Sequence, residues 1–416
     1  MIRSVTLGLP INDVAITTIE ETVRSFQLKL RGQISQHRWP IRTARITLPP
    51  VETENKDNIH LLRSTLESIS RLAESTNIRW FCVPVNLIDG ANTHIVLPIL
   101  LDSLTRLPSM FINLMISDEQ TISMSGASSA ADFILKVAKK TNNGFDNFRV
   151  GVSCGCGPNA PFFPFSRHYG ENFRFSLALE TTDLAIDLST QVISKKMGLA
   201  EFHGKFVSGL VQRLVAIDEF GQKIEELTGV EFAGLDASLA PFPNGRISIG
   251  LLLQNLGASP IGGHGTTFLT SLLTDAVRTA VTRSGVLACG FNGVMFSVLE
   301  DNYLAKANSL RQIDITALSL FSTVCGCGID MVPIPGNTFA EDIASIYLDT
   351  AALSVKLHKP LGVRLLPIPG KEVNESTNFN LDFLCDSRVM SIKIGEKSLC
   401  DGEGRWQYAS AIKKSS

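Results

Sequence analysis

The sequence predicts an α/β fold in which strands run mainly parallel and helices pack outside them. Three observations lead to this prediction. Short apolar runs rich in β-branched residues recur along the whole chain, most of these runs are continuous rather than alternating, and helical patterns fall between them. Continuous apolar runs suit strands that are buried on both faces, and strand–helix alternation is typical of parallel sheets.

About ten or eleven apolar runs are candidate strands, which is more than the eight strands of the common α/β barrel. In chain order, the candidate strands are Ile2–Leu9, Arg42–Leu48, Arg79–Val85, Met110–Ile116, Phe148–Ser153, Phe173–Leu179, Phe232–Asp236, Val286–Cys289, Ile329–Ile334, Gly362–Leu366 and Val389–Ile394.

Helical spacing appears between these runs. Apolar residues step by three and four from Ile59 to Ala73 and from Leu269 to Ala280, and Gly285 supplies a stop for the second helix. The helical pattern over residues 183–228 is longer than one crossover needs, so we expect a helical insertion there. No linker rich in Gly, Ser or Pro divides the chain, so residues 1–416 are expected to form a single domain.

Composition excludes several classes of partner. Charged residues make up 19% of the chain, the net charge is −2, and no basic stripe occurs, so nucleic acid is not expected as a partner. No run approaches the ~18 apolar residues of a membrane span. The start of the chain reads as a strand rather than a signal peptide, so the eight cysteines are expected to be reduced thiols in the cytoplasm.

A near-repeat of cysteine and glycine occurs twice, at residues 154–157 and 325–328. Residues two apart on a strand face the same side, so each copy is expected to present two sulfurs together. Four thiolates could hold zinc or an iron–sulfur cluster, although Cys-x-x-Cys is the more usual spacing. A catalytic thiol and simple packing of small residues are the alternatives, and packing is the one we weight most.

The loop from Asn159 to His168 is aromatic and stiffened by proline. A loop with this much apolar surface must be packed or must line a pocket. Arg167 and His168 at its end are candidates for binding a substrate carboxylate, with a solvated loop end as the alternative. An exposed apolar segment such as Phe162–Phe165 also favours a homo-oligomer.

Two further features are candidates for substrate binding. The glycine-rich turn before a helix contains Gly263, His264 and Thr266, and backbone N–H groups at a helix start favour an anion. A simple tight turn is the alternative. Arg364 lies inside a strand, where a buried cation must meet a carboxylate or a ligand. An ion pair with Asp330 or Glu300 is the structural interpretation.

Carboxylates follow several predicted strands, where the carboxyl ends of parallel strands usually carry the site. An acid in an apolar run is costly to bury unless it is paired or acts as a ligand. We therefore expect Glu180 and Asp330 to act as acid or base, and Asp236, Glu300 and Asp301 to hold a divalent metal. Asp301 could instead cap the helix that follows it.

Several blocks together resemble the family called domain of unknown function 711, over Ile2 to about Ile394. The blocks are Cys289–Asp301, Val324–Gly336, the Pro161–Pro164 loop, Leu179–Asp183 and Pro360–Arg364. The family's fold is similar to the ten-stranded α/β barrel of pyruvate formate-lyase and ribonucleotide reductase, so the resemblance implies such a barrel with helices outside. It implies no particular reaction. The family pattern carries one cysteine in the second block, which makes Cys327 an addition and weakens the case for a four-cysteine metal site.

Radical enzymes of that fold carry a glycyl radical near the C-terminus in an Arg-Val-x-Gly-Tyr context. The segment Arg149–Val152 lies mid-chain without a tyrosine, and Asp401–Trp406 has glycines without the motif. A self-contained glycyl-radical enzyme is therefore not expected.

The sequence thus predicts an enzyme of unknown reaction that acts on a small carboxylate-bearing metabolite, an amino acid or a 2-oxo acid. Cys325 and Cys289 would offer thiols, and Asp330 and Glu180 would offer carboxylates. A divalent metal is kept as a candidate, and no nucleotide cofactor is expected because no nucleotide-binding motif occurs. The alternative is a non-catalytic protein that binds an amino acid or a divalent cation.

Overall fold

The computed structural model describes residues 1–11, 14–34, 39–51, 56–393, 399 and 404–408. The strands are β1 (Ile2–Gly8), β2 (Ile41–Thr47), β3 (Trp80–Asn86), β4 (Met110–Ser117), β5 (Thr121–Ser123), β6 (Val150–Cys154), β7 (Arg174–Leu179), β8 (Glu231–Asp236), β9 (Gly328–Pro335), β10 (Leu361–Ile368) and β11 (Arg405–Gln407). The helices are α1 (Ile16–Ile34), α2 (Lys56–Thr76), α3 (Thr93–Arg106), α4 (Met124–Lys140), α5 (Thr182–Lys195), α6 (Leu199–Thr228), α7 (Ile249–Asn255), α8 (Thr266–Ser284), α9 (Asn302–Ser309), α10 (Ile315–Ser322) and α11 (Ala340–Leu357), with 3₁₀ segments at Asn142–Arg149 and Val298–Glu300.

One large sheet organises the chain, in the order β8-β7-β1-β2-β3-β4-β6-β10-β9, with β5 and β11 added beside β4. Strands β1, β2, β3, β4 and β6 are parallel to one another, β7 is parallel to β8 and β9 is parallel to β10. In contrast, β7 is antiparallel to β1 and β10 is antiparallel to β6. Six of the eight pairings along this path are parallel, which agrees with the expectation of mainly parallel strands, and the two antiparallel pairings make the sheet mixed. The reversal arises because residues 155–173 lead from β6 to β7 without a crossover helix.

Most predicted strands coincide with strands of the sheet to within about two residues at each end. Two do not. Residues 286–289 form only an isolated bridge between Ala288 and Leu235, and residues 389–393 form no strand, while Ile394 lies outside the described residues. The three-residue strands β5 and β11 were not predicted, because three residues are too few to show a period.

Isolated parallel bridges join residues 288–297 to both edge strands of the sheet. Ala288 pairs with Leu235 of β8, Val294 pairs with Leu239 after β8, and Ser297 pairs with Asp330 of β9. These contacts place the edge strands β8 and β9 on either side of one segment.

Two glycines touch where this segment meets the second cysteine repeat. A Cβ added to Gly293 would lie 2.8 Å from the Cα of Gly326, and the reverse holds for Gly326. The Gly326 N–H also donates to the Val294 carbonyl at 2.8 Å. Only glycine fits at both positions, because any side chain would meet the opposite backbone.

Helices cover the outer face of the sheet. The predicted apolar stripe of α2 is buried in the main core, and α8 ends at Gly285, whose φ of 69° suits glycine. Residues 182–228 form α5 and α6, and α6 packs against α8. In the described part of the chain, no helix combines the length and apolar character needed to cross a bilayer.

The loop between β6 and β7 lies across the inner face of the sheet. The Pro161 carbonyl accepts hydrogen bonds from the Ser4 and Thr6 hydroxyls of β1, at 3.1 and 3.3 Å. Phe165 packs on Gly151 of β6 and Gly362 of β10, where a Cβ would lie within 2.6 Å of its ring. The aromatic loop is therefore packed inside this chain, and it no longer provides an exposed surface that would argue for an oligomer.

Candidate functional site

A cavity of about 160 Å³ lies between the loop of residues 155–173, called the interior loop below, and one end of the sheet. Its lining combines arginines, aromatic rings and two carboxylates. The lining residues are Arg3, Arg42, Thr43, Arg45, Arg79, Trp80, Phe111, Phe148, Phe162, Phe163, Phe165, Ala240, Pro241, Phe242, Pro243, Met295, Ser297, Glu300, Asp330, Arg364 and Phe383.

The cavity lies at the amino ends of the central parallel strands. Arg3 opens β1, Arg42 opens β2, Trp80 opens β3 and Phe111 opens β4. The sequence predicts a site at the carboxyl ends, where a second pocket, lined by Arg167, also lies. The strands that run against the central ones also reach this end: Glu180 follows β7, Asp330 lies in β9 and Arg364 lies in β10.

The cavity has a buried floor and a more exposed rim. Phe111, Phe165 and Asp330 are at most 2% exposed, whereas Trp80 and Phe383 at the rim are half-buried. A ligand would therefore enter from the rim and lose most of its water at the floor, where electrostatic interactions are strong.

Two of the interior arginines are held by carboxylates. Arg364 donates from Nε and Nη2 to the two oxygens of Asp330, at 2.7 and 2.8 Å, and both side chains are buried. Arg42 donates to both oxygens of Glu180, at 2.8 and 3.0 Å. Burial lowers the pKa of Arg364, but Asp330 and Glu300 outweigh it and raise that pKa overall. In each pair, both carboxylate oxygens accept from the arginine, so the bidentate geometry is complete.

Arg3 and Glu300 are less firmly held. Arg3 lies 3.9 Å from Glu180 and 3.8 Å from Glu300, and its Nη1 donates to the Pro241 carbonyl. Glu300 accepts a 2.8 Å hydrogen bond from the Ser297 hydroxyl and lies 3.6 Å from Arg364. Glu300 therefore keeps acceptor capacity that faces the cavity.

Arg45 has no carboxylate partner among the described residues, although it is only 5% exposed. Its Nε donates to the Thr43 hydroxyl at 3.1 Å and its Nη1 donates to the Pro161 carbonyl at 3.3 Å. Its guanidinium carbon lies 5.1 Å from the Trp80 ring centroid and 5.0 Å from that of Phe163. Burial, then the neighbouring Arg3, lower the pKa of Arg45 to about 9. An arginine offers five N–H donors, so three remain for a ligand.

The predicted thiols lie apart from this lining. The buried Cys325 receives a hydrogen bond from Cys327, which lowers the pKa of Cys325, and the Lys359 ammonium nearby acts in the same direction. Lys359 is itself buried and donates to the carbonyls of Ser322 and Cys325. Burial raises the pKa of Cys289 well above its usual value. Neither Cys325 nor Cys289 lines the cavity.

The two cysteines of each repeat belong to different apolar clusters. Cys154 and Cys325 pack in the main core, whereas Cys156 and Cys327 pack with Phe162 and other lining residues of the cavity. No group of three or more His, Cys, Asp or Glu side chains within the described ranges is placed to hold a metal ion.

The predicted metal ligands Asp236 and Asp301 bind backbone N–H groups. Asp236 accepts from the N–H groups of Ser238, Phe291 and Asn292, which ties the end of β8 to residues 290–292. Asp301 accepts from donors at the starts of both α7 and α9. Glu300 lies in the cavity, so the structure does not bring these three carboxylates together.

The remaining predicted binding residues lie outside the cavity. His168 is buried and its Nε2 lies 3.0 Å from the Gly170 carbonyl. Arg167 donates to the Cys156 carbonyl and lines a separate pocket at the carboxyl ends of β4 and β6. Thr266 accepts from the Gly262 N–H within the turn that also contains Gly263 and the exposed His264.

Sequence reasoning missed Arg3, Arg42, Arg45 and Trp80. The signal was present, since each arginine lies in an apolar run assigned as a strand buried on both faces. A cation within such a strand must meet an anion. This argument, made above for Arg364, holds equally for these three arginines.

The family model described as "Uncharacterised ACR (DUF711)" matches residues 1–383. A UPF0210 protein of Actinobacillus pleuropneumoniae serotype 5b (strain L20) is 23% identical over 411 residues, covering 95% of this chain and 91% of the relative. A UPF0210 protein of Desulfovibrio desulfuricans is 25% identical over 412 residues, covering 91% and 88%. A UPF0210 protein of Syntrophobacter fumaroxidans is 38% identical over 159 residues, covering 38% and 35%.

Proposed function

The chain belongs to the DUF711 family, and we propose that it is an enzyme that acts on a small carboxylate-bearing metabolite in the arginine-lined cavity. The observation that carries this proposal is the unpaired Arg45. A buried guanidinium without an anion is costly, and a substrate carboxylate would offset that cost while accepting its remaining N–H donors.

The first prediction concerns Arg45→Met. Removing a buried unpaired charge should leave the ligand-free protein as stable as wild type or more stable, by roughly 1 kcal/mol. The same change should weaken binding of a small carboxylate by about 100-fold, because charge-assisted hydrogen bonds to the carboxylate are lost. A thermal-shift screen of 2-oxo acids, amino acids and simple monocarboxylates measures both effects.

Arg71→Met is the matched control for this screen. Arg71 is an exposed arginine of α2, so its removal changes the net charge equally without touching the cavity. If Arg45→Met retains the stabilisation by carboxylates that wild type shows, the assignment of Arg45 as the carboxylate site is wrong.

Location favours carboxylate chemistry over thiol chemistry. Glu300 and Asp330 line the cavity, whereas Cys325 and Cys289 do not. Both oxygens of Asp330 already accept hydrogen bonds from Arg364, so Glu300 is the better candidate for general acid or base.

We expect Glu300→Gln to lower kcat by about 100-fold or more on any carboxylate that the protein turns over, with little change in binding. Glutamine keeps the shape of the side chain and its hydrogen bond from Ser297, but it cannot carry the proton. Steady-state kinetics and calorimetric titration separate the two effects, with the exposed Glu231→Gln as control. Unchanged turnover would remove Glu300 from the reaction.

One observation favours the alternative of a non-catalytic binding protein. Each carboxylate beside the cavity lies within 4 Å of an arginine, so the arrangement suits the binding of a ligand as well as it suits catalysis. Tight binding of a carboxylate that the wild-type protein does not turn over would support this alternative.

We also infer that the sheet closes into a ten-stranded barrel through residues 288–297. Nine strands form the continuous path, and the three isolated bridges on this segment support it as the tenth. Closure would surround the interior loop and the cavity with strands on all sides.

A cytoplasmic location, a homo-oligomer and a bound divalent metal stay proposals. The seven cysteines in the described ranges are free thiols, which supports a reducing compartment. Light scattering coupled to gel filtration tests the oligomer, and elemental analysis of the purified protein tests the metal.

A further inference from the structure

We infer that the cavity selects a monocarboxylic acid that lacks an amino group and has an apolar body about the size of one ring. This inference rests on the proposed function and narrows its substrate class. Two independent observations carry it: the balance of charge around the cavity and the volume of the cavity.

The interior contains four arginines and three carboxylates. Arg3, Arg42 and Arg364 contact Glu180, Glu300 or Asp330 within 4 Å, and Arg45 contacts none of them. One positive charge is therefore in excess. The fifth lining arginine, Arg79, lies 4.3 Å from the Trp80 ring centroid and is exposed, so its charge needs no partner in the protein.

A ligand with one negative charge would balance this excess. A zwitterionic amino acid has no net charge and would leave the excess in place, even if its ammonium met the Glu300 carboxylate. A dicarboxylate would bring a second charge that the interior arginines do not match. Burying an unbalanced charge is costly, so both classes should bind more weakly than a monoanion.

The cavity volume limits the apolar body. An engineered protein cavity of about 150 Å³ holds benzene, and the cavity here is about 160 Å³. Trp80, Phe111 and Phe163 form its aromatic wall, with ring centroids 5.2 and 5.5 Å apart along the series. Neighbouring rings are tilted by 57° and 56°, so they offer both ring faces and ring edges beside the Arg45 guanidinium, as edge-to-face contacts with an enclosed ring require. A planar ring-sized group would complement both features.

The test compares ligands that share one ring and differ in charge. Benzoate is the monoanion, benzamide is its neutral analogue of the same shape, isophthalate is the dianion and L-phenylglycine is the zwitterion. Calorimetric titration of the full chain at neutral pH and constant ionic strength should show benzoate binding at least about tenfold tighter than each of the others. Arg45→Met should lose this preference, and Arg71→Met should keep it.

The possible outcomes separate this inference from the proposed function. If L-phenylglycine or isophthalate binds as tightly as benzoate and the binding requires Arg45, the inferred class is wrong and the carboxylate site stands. If only aliphatic carboxylates bind through Arg45, the ring-sized body is wrong. If benzamide matches benzoate, or if no carboxylate binds, the inference and the proposed function both fail.

Discussion

Arg364→Met should lower the free energy of unfolding by about 3–5 kcal/mol, which is among the largest effects expected for this chain. The substitution leaves the Asp330 carboxylate buried without its bidentate partner, since both side chains are 4% exposed. It also removes the hydrogen bond that Arg364 donates to the Phe148 carbonyl. Urea unfolding followed by circular dichroism measures the loss.

A double-mutant cycle distinguishes a lost pair from lost packing. Arg364→Met combined with Asp330→Ala should cost clearly less than the sum of the two single changes, because neither member of the pair is then left buried without the other. Arg174→Met is the matched control. Arg174 pairs with Glu231 between β7 and β8, but both side chains are at least 30% exposed, so the cost should stay below about 1 kcal/mol. Equal losses at Arg364 and Arg174 would contradict the importance assigned to burial.

Asp301→Ala should cost roughly 3 kcal/mol, because one carboxylate caps two helices. Asp301 accepts from the N–H groups of Ile249 and Gly250 at the start of α7, and from those of Tyr303 and Leu304 at the start of α9. Alanine leaves these donors buried and without their acceptor. Chemical unfolding curves report the loss.

Asp314→Ala is the control for this prediction. Asp314 caps α10 alone, through a 2.7 Å hydrogen bond from the Ala317 N–H, so alanine should cost about 1 kcal/mol there. The experiment also tests the metal hypothesis. If Asp301 is a metal ligand, Mg²⁺ or Ca²⁺ should raise the melting temperature of the wild type, and Asp301→Ala should abolish that rise.

Much of the fold could be predicted from local patterns, because buried strands and amphipathic helices both leave a strong period in the sequence. The direction of each strand could not be predicted in this way. Whether β7 runs with or against β1 depends on the path of residues 155–173, and that path is fixed by long-range contacts such as those of Pro161 with Ser4 and Thr6.

The lining of the candidate cavity could be predicted only in part for the same reason. Glu300, Asp330 and Arg364 were recognised as charges within apolar runs and lie at the cavity. Arg45 lies in an equivalent run, but the rule that parallel strands carry their site at the carboxyl ends does not point to it. Two antiparallel neighbours in the sheet reverse that rule locally, and a single sequence gives no sign of them.

The contact between Gly293 and Gly326 makes two distant positions interdependent under mutation. A cramped pair of side chains is usually relieved when one partner becomes smaller, but here each partner is already the smallest residue available. A destabilising substitution at one of these glycines therefore cannot be compensated by a substitution at the other. The two stretches of backbone are therefore free to diverge only by moving apart, which would also break the hydrogen bond between Gly326 and Val294.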